Sequence, residues 1–465
     1  MMKMRIERDS MGTLEVPADA YYGVTSTRSI ENFQISGLTI PDEQIAALAH
    51  LKLACAKANM ELGFLGKKAG DAIVKTCREI IRGGLRDQFP LDIFQAGSGT
   101  SSNMNINEVI ANRAAELLGG KRGEKKLVHP NDHVNMGQST NNVFPSSIRV
   151  AALPMMLGLA AQAKTFRKTL AKKARRFDDV IKSGRTHLQD AVPVRMGQVF
   201  AAFARAIEKD AQRIESKIAH LSELGVGGNA VGTGINTHPS FRRLIIKHLN
   251  RETRRKFRVA GNGIEATHST NDLADVSSAV QTLAVDVARI CNDLRLMSSG
   301  PNTGLNEIDL PAVEPGSSIM PGKINPTICE AINMVCLKVF GNHQTVTLAA
   351  LSAQLELNVT MPVTGYALLE SIRILTAGIK TLDEKCVAGI TVNRKQCEWY
   401  AMQSPSLATF LNPVIGYDRA AAVVKQSLRE QKTIPEVVLA EKLMTEKELA
   451  KILDPKKLTS PNRMK

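Results

Sequence analysis

From Leu273 the apolar positions are Val276, Val280, Leu283, Val287, Ile290, Leu294 and Met297, separated by three and four residues in alternation. That 3.5-residue repeat predicts one long helix lying nearly parallel to its neighbours in a bundle. Ser298-Ser299-Gly300-Pro301 closes it, because glycine and proline stop a helix. A second stripe runs through Met196, Val199, Phe200, Phe203, Ile207, Ile214, Ile218, Leu221 and Leu224, and 327–357 and 363–382 read as further helices. A helix of about 28 residues spans roughly 42 Å, more than one compact domain needs. Helices that long bury their stripes against other subunits, so an oligomer is expected.

Upstream, Pro17, Gly23 and Pro41 make an irregular start. Residues 42–83 then turn helical around a glycine interruption at 63–70, and 105–118 carries Ile106, Val109, Ile110 and Leu117 on one side. The pattern predicts a mainly all-α chain in three parts: an N-terminal domain over 1–141, a central helical bundle over 142–395, and a small C-terminal helical domain over 396–465. The longest apolar run, Val150 to Ala161, is broken by Pro154 and Gly158 and falls short of the ~20 residues of a membrane span, so no membrane association is expected.

Composition fits this picture. Of 465 residues, 43% are hydrophobic and only 4% aromatic, which favours helix on helix over sheet. The formal net charge of +15 raises nucleic acid or small anions as partners. The densest basic run, from Arg242 through Arg254, Arg255, Lys256 and Arg258, has only Phe241 and Phe257 to stack on a base and no zinc-finger spacing, so it reads as solvated helix faces. Seven widely spaced cysteines, never in a CxxC pair, and an N-terminus without an apolar core place the chain in a reducing cytoplasm.

Four polar tracts interrupt the helices: 95–105, 129–142, 184–190 and 316–326. The last, Gly316-Ser317-Ser318-Ile319-Met320-Pro321-Gly322-Lys323-Ile324-Asn325-Pro326, sets hydroxyls, a lysine and an amide between glycines and prolines, with Glu330 just beyond. That is equipment for handling an anion. It is not a Walker A loop, because five residues separate Gly316 from Gly322 and Ile324 follows Lys323. The first tract precedes a helix N-terminus, a natural place for an anion and equally for an unliganded cap. His129, Asp132 and His133 lack the spacing and partners of a zinc site. Gly225 to Ala230 resembles a dinucleotide loop only faintly, with no βαβ unit around it.

Taken together, the tracts resemble the fumarase/aspartase superfamily of lyases. The signature GSSxMPxKxNP stands at Gly316 to Pro326, a GSGTS-type loop at Gly97 to Ser101, HPND at His129 to Asp132, a Ser-Thr-Asn segment at Ser139 to Asn141 and RTHLQDA at Arg185 to Ala191. The likeness runs from Met4 nearly to the C-terminus. It implies a homotetramer with a twenty-helix core, active sites shared by three subunits, a small dicarboxylate substrate and no metal or organic cofactor. It implies that Ser317 is the base, with Lys323 and Asn325 on one substrate carboxylate. Ser98, Thr100, Ser101, Ser139, Thr140 and Asn141 would take the other carboxylate and the leaving group. Thr186 and His187 would lie at that second end, with Glu330 orienting His187, and His129, Asn131 and Asp132 match a secondary anion site of the fumarase branch.

Asp19 to Val24, Ile30 to Phe33, Ser139-Thr140-Asn141, Cys291 to Arg295, Leu305 to Ile308 and Gln354 to Asn358 resemble the aspartase branch, whereas Gly97 to Thr100, His129 to Asp132 and Pro326 to Glu330 lean toward fumarase. The resemblance therefore implies reversible deamination of L-aspartate to fumarate, the alternative being interconversion of fumarate and L-malate. Asn142 departs from the family's usual Asp and borders the expected leaving-group pocket; Asn302 departs from a common Arg. A catalytically idle structural oligomer is the rival from another class, and joint retention of Ser317, Lys323, Asn325, His187 and Glu330 argues against it; nucleic-acid binding through the basic runs is a weaker rival, which the absence of a steep salt slope in filter binding would remove.

Overall fold

The computed structural model describes residues 3–461 and is mainly helical. Strands β1 (Met4–Asp9) and β2 (Gly12–Pro17) form an antiparallel hairpin ahead of helices α1 (Val24–Asn32), α2 (Asp42–Glu61), α3 (Lys67–Ile81) and α4 (Thr100–Leu117). Next come α5 (Thr140–Arg176), α6 (Met196–Lys217), the shorter α7 (Phe241–Thr253) and α8 (Glu265–His268), and then α9 (Asn271–Met297), α10 (Thr327–Leu351) and α11 (Met361–Lys385). The chain forms two compact units. One runs from the N-terminal end to Ala161 and adds Gln212–Ala284 and Cys336–Thr376; the other comprises Gln162–Ala211, Val285–Val335 and the chain from Ala377 onward. The division falls within α5, α6, α9, α10 and α11.

In the first unit α2 packs on α3, α4 and α7. Apolar residues occupy most of its length, and even Lys52, Gln44 and Asn59 on it are buried. Its N-terminal turn carries Asp42 and Glu43, which suit the positive end of a helix dipole. The heptad stripe of α9 is buried throughout, from Leu273 to Met297, and the helix stops at the expected Ser-Ser-Gly-Pro.

Three expectations are corrected. The run from Val150 to Ala161 is not broken: α5 passes continuously through Pro145 and Pro154. Each proline removes one helical hydrogen bond, and the packing of a buried helix outweighs that loss. By length and composition α5 could cross a membrane, but 78% of its most apolar window is buried, as in a core helix. The stripe from Met196 leaves the α-helix after Lys217 for a 3-10 turn, Ile218–Ser222, and a short parallel pairing of Glu223–Leu224 with Arg258–Val259. α10 ends at Leu351, short of 357, because the Asn358 amide and the Thr360 hydroxyl both donate to Ala349 O at 2.9 Å and satisfy a terminal carbonyl.

The second unit holds an antiparallel hairpin, β3 (Ile181–Thr186) and β4 (Gln189–Arg195), in place of an irregular polar tract. The C-terminal helices pack on it. Leu407, Leu411, Val437, Val438 and Leu449 share one core with Ile181. Two of these helices begin with reciprocal capping boxes, Thr433 with Glu436 and Thr445 with Glu448, a T-x-x-E spacing legible in the chain itself.

Candidate active site

In the first unit the tracts at 97–103 and 139–141 meet. Ser98 adopts a left-handed conformation (φ 58°) and its N–H donates to Val359 O at 3.0 Å. Glycine is required beside it: a Cβ on Gly99 would lie 2.4 Å from the Phe144 ring, and φ there is +86°. This tight turn starts α4 at Thr100 and buries Ser98, whose hydroxyl donates to Asn141 Oδ1 at 3.2 Å. Asn141 in turn donates through Nδ2 to Ala230 O at 2.8 Å, and Asn103 Nδ2 donates to Thr140 Oγ1 at 2.9 Å. Thr140 and Asn141 open α5 as Thr100 opens α4, so both tracts stand at helix N-termini, where backbone N–H groups and the helix dipole favour an anion.

Thr100 and Ser101 also line a cleft of about 940 Å³ together with His129, Asn131, Arg28 and Lys125. His129 Nδ1 accepts from the N–H groups of Asn131 and Asp132 at 3.2 and 3.1 Å, which assigns the ring proton to Nε2. Asn131 and Asp132 are exposed. Among the described residues no group of three His, Cys, Asp or Glu is arranged to hold a metal.

In the second unit, His187 and Leu188 form the two-residue turn of the β3–β4 hairpin with φ of 55° and 60°. Both values lie in the left-handed region that a hairpin turn of this kind needs and that non-glycine residues avoid. The turn leaves Thr186 and His187 exposed. Its root is fixed by Glu307, a fully buried carboxylate that accepts from Arg185 at 2.7 Å and pairs with Lys182 at 3.1 Å. The Arg185 guanidinium also lies over the Tyr400 ring. Glu307 and Tyr400 were not among the sequence-derived site residues; the only signal for Glu307 was its place in the Leu305 to Ile308 segment.

The 316–326 loop is cinched at its base. Asn325 Nδ2 donates to Gly316 O at 2.5 Å, and a Cβ on Gly316 would meet Lys323 O at 2.1 Å. Ser317 Oγ accepts from the N–H groups of Ile319 and Met320 at 3.2 and 3.0 Å. Two converging donors stabilise a negative charge on that oxygen. Lys323 is exposed, as are Ile319, Met320 and Ile324. Glu330, in the first turn of α10, lies 3.9 Å from Arg295, and within one chain it makes no hydrogen bond to His187 among the described residues. Asn142 points inward instead of toward the tract: it is fully buried and donates to Thr267 Oγ1 at 2.6 Å.

The sequence profile of the family described as Lyase matches residues 12–341, and that of the Fumarase C C-terminus matches 407–460. The chain is 45% identical over 464 residues to an aspartate ammonia-lyase from Helicobacter pylori, covering 99% of both chains. It is also 45% identical over 464 residues to a class II fumarate hydratase from Thermus thermophilus, again covering 99% of both. Among solved structures, a fumarate lyase:delta crystallin from Brucella melitensis bound to cobalt superposes with a TM-score of 0.95 at 44% identity, over 99% of this chain and 100% of that one. A class II fumarase from Schistosoma mansoni gives 0.93 at 38% identity, over 97% and 98%.

Proposed function

Since the chain belongs to the fumarase/aspartase superfamily of lyases, we propose that it is an aspartate ammonia-lyase, converting L-aspartate reversibly to fumarate and ammonia. The observation that carries the mechanism is the pair of N–H donors at Ser317 Oγ. A serine hydroxyl is a poor base until its oxyanion is stabilised, and two backbone donors and the Lys323 ammonium of the same loop supply that. Ser317 takes the proton from the carbon beside one carboxylate. The electron pair moves into that carboxylate, giving an enediolate-like dianion that Lys323 and Asn325 neutralise. Collapse of the dianion expels ammonia from the next carbon and leaves fumarate. Ser98, Thr100, Ser101, Ser139, Thr140 and Asn141 hold the second carboxylate and the amine, with Thr186 and His187 at that end and Glu330 orienting His187. Each 1.36 kcal/mol by which such contacts favour the dianion is about tenfold in rate.

The working enzyme in this reading is a cytoplasmic homotetramer with each site drawn from three subunits. Its support is the outer face of α10, where Met334, Leu337, Leu348 and Leu351 are all exposed in the single chain. A second reading, class II fumarate hydratase, is favoured by the equal identity to the Thermus thermophilus relative. The chemistry separates the two: ammonia leaves from an amine already protonated, whereas hydroxide needs a proton delivered. Fumarate absorbance is followed with L-aspartate and L-malate in parallel. Fumarate from aspartate is expected; fumarate from malate alone establishes the second reading.

A further inference from the structure

Lys52, on α2, is completely buried, and no carboxylate is among its hydrogen-bond partners in the described residues. Its ammonium donates to three amide oxygens instead: Asn103 Oδ1 at 2.7 Å, Asn135 Oδ1 at 2.8 Å and Gln138 Oε1 at 3.0 Å. Burial pulls this lysine down to about 7, and the titratable groups that oppose that pull, the thiols of Cys55 and Cys77, are themselves buried and pushed up. A buried cation without a counter-ion is costly to retain. Its position explains what it does.

An ammonium has three donors and no acceptor, so each amide that meets it must turn its oxygen inward. For Asn135 and Gln138 the outward N–H groups are used up on backbone carbonyls, Gln138 O and Val134 O. For Asn103 the outward N–H meets Thr140 Oγ1 at 2.9 Å. A hydroxyl oxygen that accepts there has its own proton directed away from Asn103. We propose that Lys52 is a positioning residue for the substrate pocket: through Asn103 it fixes the polarity of the Thr140 hydroxyl, so that Thr140 donates to the dicarboxylate. This rests on the reading of Thr140 as a substrate contact. It adds that the donor direction is set from a lysine inside the first unit that never touches substrate.

The test uses Asn103→Asp, an isosteric change that keeps a partner for Lys52 and makes it an ion pair, yet replaces the donor facing Thr140 with an acceptor. The Thr140 proton then turns inward. Fumarate formation is measured from whichever of L-aspartate and L-malate the enzyme uses, alongside Thr140→Ala, Lys52→Met and the Asn103→Asp/Thr140→Ala double variant, with thermal midpoints for all. Asn103→Asp is expected to retain its thermal midpoint and lose about tenfold in kcat/KM, the scale of one lost hydrogen bond to a charged group. In the Thr140→Ala background it is expected to add nothing. A folded Asn103→Asp enzyme with wild-type kcat/KM overturns the proposal, as does an undiminished effect in the double variant. Thr140→Ala with wild-type kcat/KM instead removes Thr140 from the substrate site, which is a failure of the underlying reading. Lys52→Met is expected to match the loss in kcat/KM where it folds; Asn103→Asp decides the matter where it does not.

Discussion

Ser317 and Asp92 show how few atoms set the chemistry at the scale of single residues. Ser317→Ala removes the oxygen that collects two N–H donors. The expected result is a kcat lower by about 10³-fold, within the range of a lost general base, and a stability cost of about 1 kcal/mol from the turn; fumarate absorbance and urea unfolding measure the two. Near-wild-type kcat would remove Ser317 as the base. Asp92 anchors the segment before the Ser98 turn. Burial pushes its carboxyl up, but the N–H groups of Phe94, Ser36 and Gly37 and the Ser36 hydroxyl outweigh burial and hold it at about 2. The folded value lies below the roughly 3.9 of an unfolded aspartate, so its stabilisation is present above about pH 4 and fades as pH falls toward 2. Asp92→Asn should cost about 2 kcal/mol at pH 7, with a narrower gap at pH 3 in urea titrations; a gap independent of pH would refute the assignment.

Among the elements, the β3–β4 hairpin joins a strained turn to a buried ion-pair anchor. His187 and Leu188 both occupy the left-handed region, at a cost of about 1–3 kcal/mol each. The Glu307 carboxylate holds the strand below them through Lys182 and Arg185. Glu307→Gln leaves two largely buried cations without their counter-ion, and a loss of about 3 kcal/mol is expected by guanidinium unfolding. kcat/KM should fall with it, because Thr186 and His187 ride on that hairpin. Unchanged stability would show that the pair contributes little. Helix positions were largely legible here: α9 begins and ends where the heptads and the Ser-Ser-Gly-Pro stop place it. The hairpin was not, since Ile181–Arg195 lacks the alternating apolar pattern of a strand pair and is held by one distant carboxylate.

For the whole molecule, the exposed apolar side chains of α10 and the division of the polar tracts between two units bear on assembly. Ser139, Thr140 and Asn141 fall in one unit, Ser317 and Lys323 in the other. In the proposed tetramer, different subunits supply these groups. Specific activity per chain should therefore collapse on dilution below the subunit dissociation constant, with mass photometry reporting the species present. Full activity in a monodisperse monomer would overturn the shared site.

Sequence alone determined α9, because a 3.5-residue apolar repeat can be buried in only one periodicity. It also carried the family likeness of the 316–326 loop, whose residue types are contiguous and so legible without a fold. Tertiary structure decided what depends on partners distant along the chain. The continuity of α5 through Pro145 and Pro154 depends on burial. Asn142 turns inward to Thr267, Glu307 holds the hairpin, and Lys52 reaches three amides that lie 51 to 86 residues from it along the chain. Local pattern records which face of a helix is apolar; it does not record which polar group across the core receives a proton.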